Sequence, residues 1–369
     1  MREYLLEHMR RYPQMQVTDG VKLLYQSEFG GGHMIAGPAR SLKWIEEEWK
    51  NMVRAENEAD AVDARGLGKN ESVAADGQET PVEPIGNGMC RVYLSALDEG
   101  LWPETLNQMF VQTANRTVGN IADFEKKLDV LSECCRRGET PFSAEELDTY
   151  LKEYKAQGYP PVSHSERYRQ LYHPAYRVAA EYYTRFYQVF LKIDQVRKAA
   201  GDRTVVVAID GKCGSGKSTL GRILKEIYGC SLFHMDDFFL RPEQRTGERL
   251  AQPGGNVDYE RFKTEILDHI ADKDGVEYQR YDCSMGCLAE KVRVPYCQLN
   301  IVEGAYSQHP YFGDRYDLCF FYGIDEEEQV RRIMKRNGPE MLKRFQKEWI
   351  PMEEKYFSAF EIAKKSWMI

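Results

Sequence analysis

The stretch that most constrains this chain runs from Thr204 to Leu220 and reads TVVVAIDGKCGSGKSTL. A β-branched apolar run, Val205 to Ile209, passes straight into Gly211-Lys212-Cys213-Gly214-Ser215-Gly216-Lys217-Ser218, and apolar residues at helical spacing follow at Leu220, Ile223, Leu224 and Ile227. Strand, G-x-x-x-x-G-K-[ST] loop and helix in that order form the phosphate-binding P-loop. Glycines let the backbone curl until successive N–H groups point into one hollow, and the start of the next helix adds partial positive charge there. Gly211 to Thr219 are therefore expected to cradle a nucleoside triphosphate, with the Lys217 ammonium on its β- and γ-phosphates and the Ser218 hydroxyl on Mg²⁺.

A buried strand feeding such a loop belongs to a parallel sheet covered by helices on both faces. The second half of the chain reads that way. Ser231 to Met235 is a short strand that ends in Asp236-Asp237-Phe238-Phe239, and Leu299 to Val302 is a buried strand that ends in Glu303-Gly304. Val276 to Tyr281 and Leu318 to Ile324 read as further strands, with Asp258 and Asp325 capping helices. Ligands of such sheets collect at the carboxyl ends of the strands, so the P-loop, Asp236 and Glu303 converge. Phosphoryl transfer needs phosphates held in line, Mg²⁺ and a base for the acceptor hydroxyl. Asp236 is the candidate base and Asp237 the alternative, while Ser218, Asp236 and Glu303 are candidate oxygens for Mg²⁺. Arg331, Arg332, Lys335 and Arg336 follow the last strand. Arg332 and Arg336, four apart on one helix face, suit a lid that neutralises the transferring phosphoryl group.

Residues 1–200 read as a mainly helical domain without a strong catalytic motif. Leu5, Leu6, Met9 and Tyr12 fit one helix face, Arg91, Tyr93, Leu94 and Leu97 begin another, and Ser143 to Glu146 is a capping box. Tyr168, Tyr172, Tyr176, Tyr182, Tyr183, Phe186, Tyr187 and Phe190 read as a packing face of a helix that starts after Pro174. Two stretches stand apart. Tyr25 to Ile35 holds three glycines beside Glu28 and His33, which suits either a ligand-contacting loop or a hinge. Arg54 to Pro84 is rich in Ala, Glu, Asp and Gly and lacks aromatics, which predicts a solvated, mobile insertion. Ala199 to Asp202 marks the boundary with an α/β domain at 201–369.

Composition narrows the function classes. A net charge of −8 argues against general nucleic-acid binding, which needs a basic face. Nine cysteines, odd in number and irregular in spacing, predict free thiols in a reducing compartment. Cys283, Cys287 and Cys297 lack the second ligand pair of a zinc site. The N-terminal MREYLLEHMRRYPQMQ scatters charges through its apolar positions, unlike a signal peptide, and no long apolar span follows. The expectation is a cytoplasmic protein without a membrane partner. No N-K-x-D guanine-reading motif is present, which argues against a GTPase.

Residues of about 203–369 resemble a group of P-loop kinases, the uridine kinases, phosphoribulokinases and nicotinamide riboside kinases. The resemblance rests on the P-loop, HMDDFF at 234–239, PGGNVDY at 253–259, Tyr281-Asp282, VEGAY at 302–306, Tyr316-Asp317 and RRIMKRN at 331–337, in that order. It implies the α/β P-loop kinase fold and ATP- and Mg²⁺-dependent phosphorylation of a small-molecule hydroxyl, first of all on a nucleoside. By residue it implies Asp236 as base, Glu303 at magnesium, Asp282 beside Tyr281 on a sugar hydroxyl, and Arg332 or Arg336 in the lid. Tyr306 and His309, just after the Glu303-Gly304 pair, join the candidate acceptor contacts. The chain departs from the group at Asn337, where uridine kinases carry Asp, in the shortness of residues 272–298, and in its whole N-terminal half. A sugar, a vitamin precursor or a phosphorylated metabolite keeps the same chemistry with another acceptor. The last would call for more basic residues near Asp282 than Arg280, Lys291 and Arg293. A nucleotide-dependent sensor or switch is the reading outside enzymes.

Overall fold

In a computed structural model, residues 1–32, 35, 37–63 and 81–369 are described, and the chain divides into two units, Met1–Leu191 and Lys192–Ile369. The first unit holds helices α1 (Arg2–Arg11), α2 (Val17–Phe29) and α3 (Pro38–Asp63), strands β1 (Val82–Gly86) and β2 (Met89–Tyr93), and helices α4 (Ser95–Asp98), α5 (Pro103–Arg116), α6 (Ile121–Arg136), α7 (Ala144–Ala156) and α8 (Glu166–Tyr172). Strand β3 (Tyr176–Ala180) and helix α9 (Glu181–Thr184) follow, and the division between the units falls inside α10 (Tyr187–Ala200).

This unit is mainly helical, as expected, around a small antiparallel sheet, order β1-β2-β3. Asn87-Gly88 makes the β1–β2 turn with φ of 53° and 67°. Two left-handed residues match the right-handed twist of a hairpin, so Arg91 and Tyr93 sit on a strand. The aromatic series from Tyr168 is likewise split among α8, β3, α9 and α10. Leu5, Val21, Leu24, Phe124, Leu128, Leu131 and Leu147 pack with Val178 into one buried cluster, each full burial of such a side chain contributing about 1.5–3 kcal/mol. The Ser143 capping box forms, the Glu146 carboxylate accepting from the Ser143 amide at 2.7 Å.

Of the stretch expected to be an insertion, 54–84, residues 54–63 belong to α3 and residues 82–84 to β1. Its stretch at 64–80, and the role weighed for His33, lie outside the described residues. The glycines before His33 have a packing reason. A Cβ on Gly31 would stand 2.6 Å from the Phe110 ring, and one on Gly30 3.4 Å from Thr117 Oγ1. Larger residues would push the end of α2 off α5.

The second unit continues with β4 (Val205–Gly211), α11 (Lys217–Tyr228), β5 (Ser231–His234), α12 (Gly247–Leu250), α13 (Tyr259–Phe262), β6 (Val276–Asp282), β7 (Cys287–Val294), β8 (Leu299–Glu303), β9 (Leu318–Tyr322), α14 (Glu326–Arg344), α15 (Ile350–Phe360) and β10 (Trp367–Met368). Five strands form a parallel sheet in the order β10-β9-β4-β8-β5. All seven residues of central β4 are buried, as a sheet covered on both faces requires. Strand β6 forms but stays out of this sheet. It pairs antiparallel with β7 in a hairpin of its own.

Helix α14 breaks at Gly338, with φ 78° and ψ 173°, just before Pro339. A proline ring removes a helix N–H and crowds the preceding turn. Among the described residues no helix is long and apolar enough to cross a membrane.

Candidate active site at the phosphate loop

The phosphate loop joins β4 to α11 at the carboxyl edge of the parallel sheet. Gly211, Gly214 and Gly216 take φ of 141°, 78° and 114°, and a Cβ on Gly211 would fall 2.2 Å from Tyr322 O. The Lys217 ammonium folds back onto the carbonyls of Gly211 and Lys212 at 2.7 and 2.9 Å. The Ser215 hydroxyl is buried and has no hydrogen-bond partner among the described residues.

The rest of the unit braces this loop. Gln329 Nε2 donates to Cys213 O at 2.9 Å, and Arg332 Nη1 donates to Ser215 O at 2.8 Å. The Cys213 amide donates to the buried Glu353 carboxylate of α15 at 2.8 Å. Beneath it, Asp210 accepts from Gly211 N at 2.7 Å, Gln308 N at 3.0 Å and Tyr356 Oη at 2.8 Å. Burial pushes the Asp210 carboxyl up to about 6 and the Cys213 thiol up to about 12. A thiol so high is a packing group, without thiolate reactivity at neutral pH.

Parallel pairing of β5 with β8 puts His234 opposite Glu303. The Glu303 carboxylate accepts from the Ser218 hydroxyl at 3.2 Å and meets His234 Nδ1 at 2.5 Å. That bond raises the His234 pKa. Asp236, in the turn after β5, differs. Its carboxylate has no hydrogen bond or ion pair among the described residues, and it stays open to solvent. The surrounding protein mass, then the charge of Glu303, raise its pKa, while Lys217 and His234 pull it down. Asp237 is engaged, accepting from Tyr278 Oη at 3.0 Å with Arg280 Nε at 3.4 Å. Ser218, Glu303 and Asp236 together are an all-oxygen donor set, which suits a hard cation such as Mg²⁺.

The other predicted residues are spread through the unit. Asp282 closes its own hairpin turn, accepting from Ser284 N at 2.7 Å and Met285 N at 3.2 Å. Tyr281 is buried and its hydroxyl accepts from Arg245 Nη2 at 2.7 Å. Tyr306 is buried at φ 74°, its amide on Asp210. His309 stacks on Tyr259 at 4.1 Å, and burial takes its pKa down to about 4. Arg332 is committed to the loop carbonyls and to Glu328 at 2.7 Å, while Arg336 donates to Asn337 Oδ1 at 2.7 Å.

The structure thus brings Lys217, Ser218, Asp236, Glu303 and Arg332 to the loop. It gives Asp237, Tyr281, Asp282, Tyr306 and His309 partners inside the fold. Glu353, Gln329 and Arg245 were not found from sequence. Glu353 reaches the loop from 140 residues away, and no local pattern marks that bond.

No protein-family model matches the chain, and no curated protein matches it. Several solved structures are similar to somewhat under half of the chain. One, described as a possible uridine kinase from Bacillus stearothermophilus, is 18% identical with a TM-score of 0.37, over 49% of this chain and 99% of that one. Another, described as a fructose transport system kinase from Silicibacter sp., is 20% identical with a TM-score of 0.37, over 44% and 91%. A D-glycerate 3-kinase from Cryptococcus neoformans is 18% identical with a TM-score of 0.33, over 43% and 87%. The second unit itself is a five-stranded parallel sheet with the phosphate loop between β4 and α11.

Proposed function

We propose that the protein transfers the γ-phosphoryl group of ATP to a hydroxyl of a small metabolite. One observation carries the reading: beside a phosphate loop with its lysine and serine, Asp236 is a carboxylate without a hydrogen-bond or ion-pair partner among the described residues. A group held so is available to take the acceptor proton, and a raised pKa makes it the stronger base. The loop amides and Lys217 hold the phosphates, and Ser218, Glu303 and Asp236 are the oxygens that would hold Mg²⁺. That ion, when bound, spreads the charge of the phosphates. Arg332 props the loop from its carbonyl side. Arg336, exposed two residues before the Gly338 break, is then the arginine for the transferring group.

The acceptor inferred from the resemblance is a nucleoside. A screen of nucleosides, sugars, hydroxy acids and phosphorylated sugars with ATP and Mg²⁺ tests the reading. At least one compound should raise ADP release well above the water background, and Lys217→Ala should lower that rate by about 100-fold or more. ADP release that no hydroxyl compound raises would contradict the kinase reading and favour a nucleotide-dependent switch.

A further inference from the structure

We infer that His234 is a positioning residue for the cation: it ties up one oxygen of Glu303, so that this carboxylate offers the ion a single oxygen, and in doing so it selects Mg²⁺ over Ca²⁺. The inference rests on the kinase reading and adds how its cation is chosen.

The sheet dictates the pairing. Strand β5 runs parallel to β8 in a register that sets Ser231 beside Asn300, Leu232 beside Ile301, Phe233 beside Val302 and His234 beside Glu303. Side chains alternate between the two faces along each strand, so residues side by side in the ladder share a face. The last side chains of the two strands therefore meet at the carboxyl edge, next to the phosphate loop. Glu303 is buried there and His234 is half-buried.

Both oxygens of Glu303 are held. Oε1 meets His234 Nδ1 at 2.5 Å, and Oε2 accepts from the Ser218 hydroxyl at 3.2 Å. An ionised carboxylate only accepts hydrogen bonds, so Nδ1 carries the proton of the first bond.

The stem is held as well. Helix α11 passes so close at Gly221 that a Cβ there would stand 3.3 Å from Glu303 Cγ and 2.9 Å from Leu232 Cδ1. Just past the two strands the chains touch again. Gly304 has φ 135°, and a Cβ on it would stand 2.8 Å from Met235 Cβ. The backbones that carry His234 and Glu303 are thus pressed together, and the carboxylate is not at liberty to swing.

With Oε1 committed to His234, Glu303 has Oε2 to give, on the side of Ser218. Mg²⁺ demands near-ideal octahedral geometry and is bound by few carboxylate oxygens, whereas the larger Ca²⁺ accepts more oxygens and is often held by both oxygens of one carboxylate. A histidine on Oε1 costs Mg²⁺ nothing and denies Ca²⁺ a bidentate ligand. Partners of this kind, one bond behind a metal ligand, orient it and tune its affinity.

The test measures binding, so it stands apart from the search for an acceptor. The dissociation constant of AMP-PNP, an ATP analogue with a nitrogen bridge between its β- and γ-phosphates, is taken by calorimetry on the full chain. It is taken with saturating Mg²⁺, with saturating Ca²⁺ and with EDTA. Three proteins are compared: the parent, His234→Leu, which fills the space without a donor, and His234→Asn, whose amide N–H stands where Nδ1 stood.

The parent should bind the Mg²⁺ complex about tenfold or more tightly than the Ca²⁺ complex. In His234→Leu that preference should fall about tenfold or more, through a loss of roughly 10- to 100-fold in affinity for the Mg²⁺ complex, while affinity in EDTA stays within about threefold of the parent. His234→Asn should keep the parent's preference within about threefold. Equal affinity of the parent for the two complexes would overturn the inference. So would a His234→Leu preference within about threefold of the parent, a loss that is the same in all three conditions, or a His234→Asn variant that behaves as His234→Leu does. Each of these leaves the kinase reading standing. A parent that binds the analogue as tightly in EDTA as in Mg²⁺ would contradict the metal site on which both the kinase reading and this inference depend.

Discussion

In the first unit Arg91 is fully enclosed, and its neighbours answer it. Its Nη2 and Nε donate to Gln26 Oε1 at 2.9 and 3.1 Å, Glu83 lies 3.7 Å away, and the guanidinium sits 4.5 Å over the Tyr176 ring. Glu83 in turn meets His8 at 2.8 Å and accepts from Tyr93 at 2.6 Å. His164 lies between Asp19 at 2.9 Å and Tyr176 at 2.6 Å. In the second unit Asp236 is exposed, with no hydrogen bond or ion pair among the described residues. A buried polar network that is complete specifies one packing. A charge that is fixed and unanswered is set for a ligand.

The largest break in that contrast is Arg91→Met. It leaves Glu83 buried with Arg11, 3.8 Å away, as its remaining arginine and should cost about 3–5 kcal/mol in a urea unfolding series. Arg245→Gln, at an exposed position, should stay within about 0.5 kcal/mol of the parent in the same series.

Acid probes the same network more gently. His164 titrates at about 3 in the fold and near 6.5 when unfolded, so protonation favours the unfolded chain once pH falls below 6.5. His8, also lowered by burial, adds to this. Glu83, held at about 2 by its bond to His8 against the cost of burial, withdraws its own contribution between about 4.5 and 2. The unfolding midpoint of the first unit should therefore fall steadily from pH 7 to pH 4. A flat profile would mean that these histidines are solvated.

Two smaller effects sharpen the other half. Glu353→Ala removes the acceptor under the Cys213 amide and should raise KM for MgATP about tenfold, whereas Glu353→Gln keeps an acceptor oxygen and most of the affinity. Asp237→Asn still accepts from Tyr278 and should change kcat by less than about fivefold, the smallest shift of the series.

Much of the second unit was legible in sequence because its signals are local. Val205 to Ser218 is one strand and one loop, and Asp236 and Glu303 end strands of the same sheet. The difference between Asp236 and Asp237 was not local. Tyr278 and Arg280, which engage Asp237, arrive with a hairpin more than forty residues on. Asp282 looked like a substrate contact, and in the fold it closes the hairpin turn. Arg245 and Glu353 carried no signal, since each acquires its meaning from Tyr281 or Cys213 across the fold. In the first unit the spacing of Arg91, Tyr93, Leu94 and Leu97 fits a helix, and the left-handed Asn87-Gly88 turn that makes Arg91 and Tyr93 a strand was missed. Its buried network assembles residues from α1, α2, β1, β2 and β3, and sequence spacing cannot show that closure.

The central claim is that Asp236 is unpaired because it is the base of a phosphoryl transfer, and Asp236→Asn tests it most directly. With the best acceptor from the screen, kcat for transfer should fall by about 100-fold to 10,000-fold, with the dissociation constant of MgATP within about threefold of the parent. Transfer within about tenfold of the parent rate would contradict it.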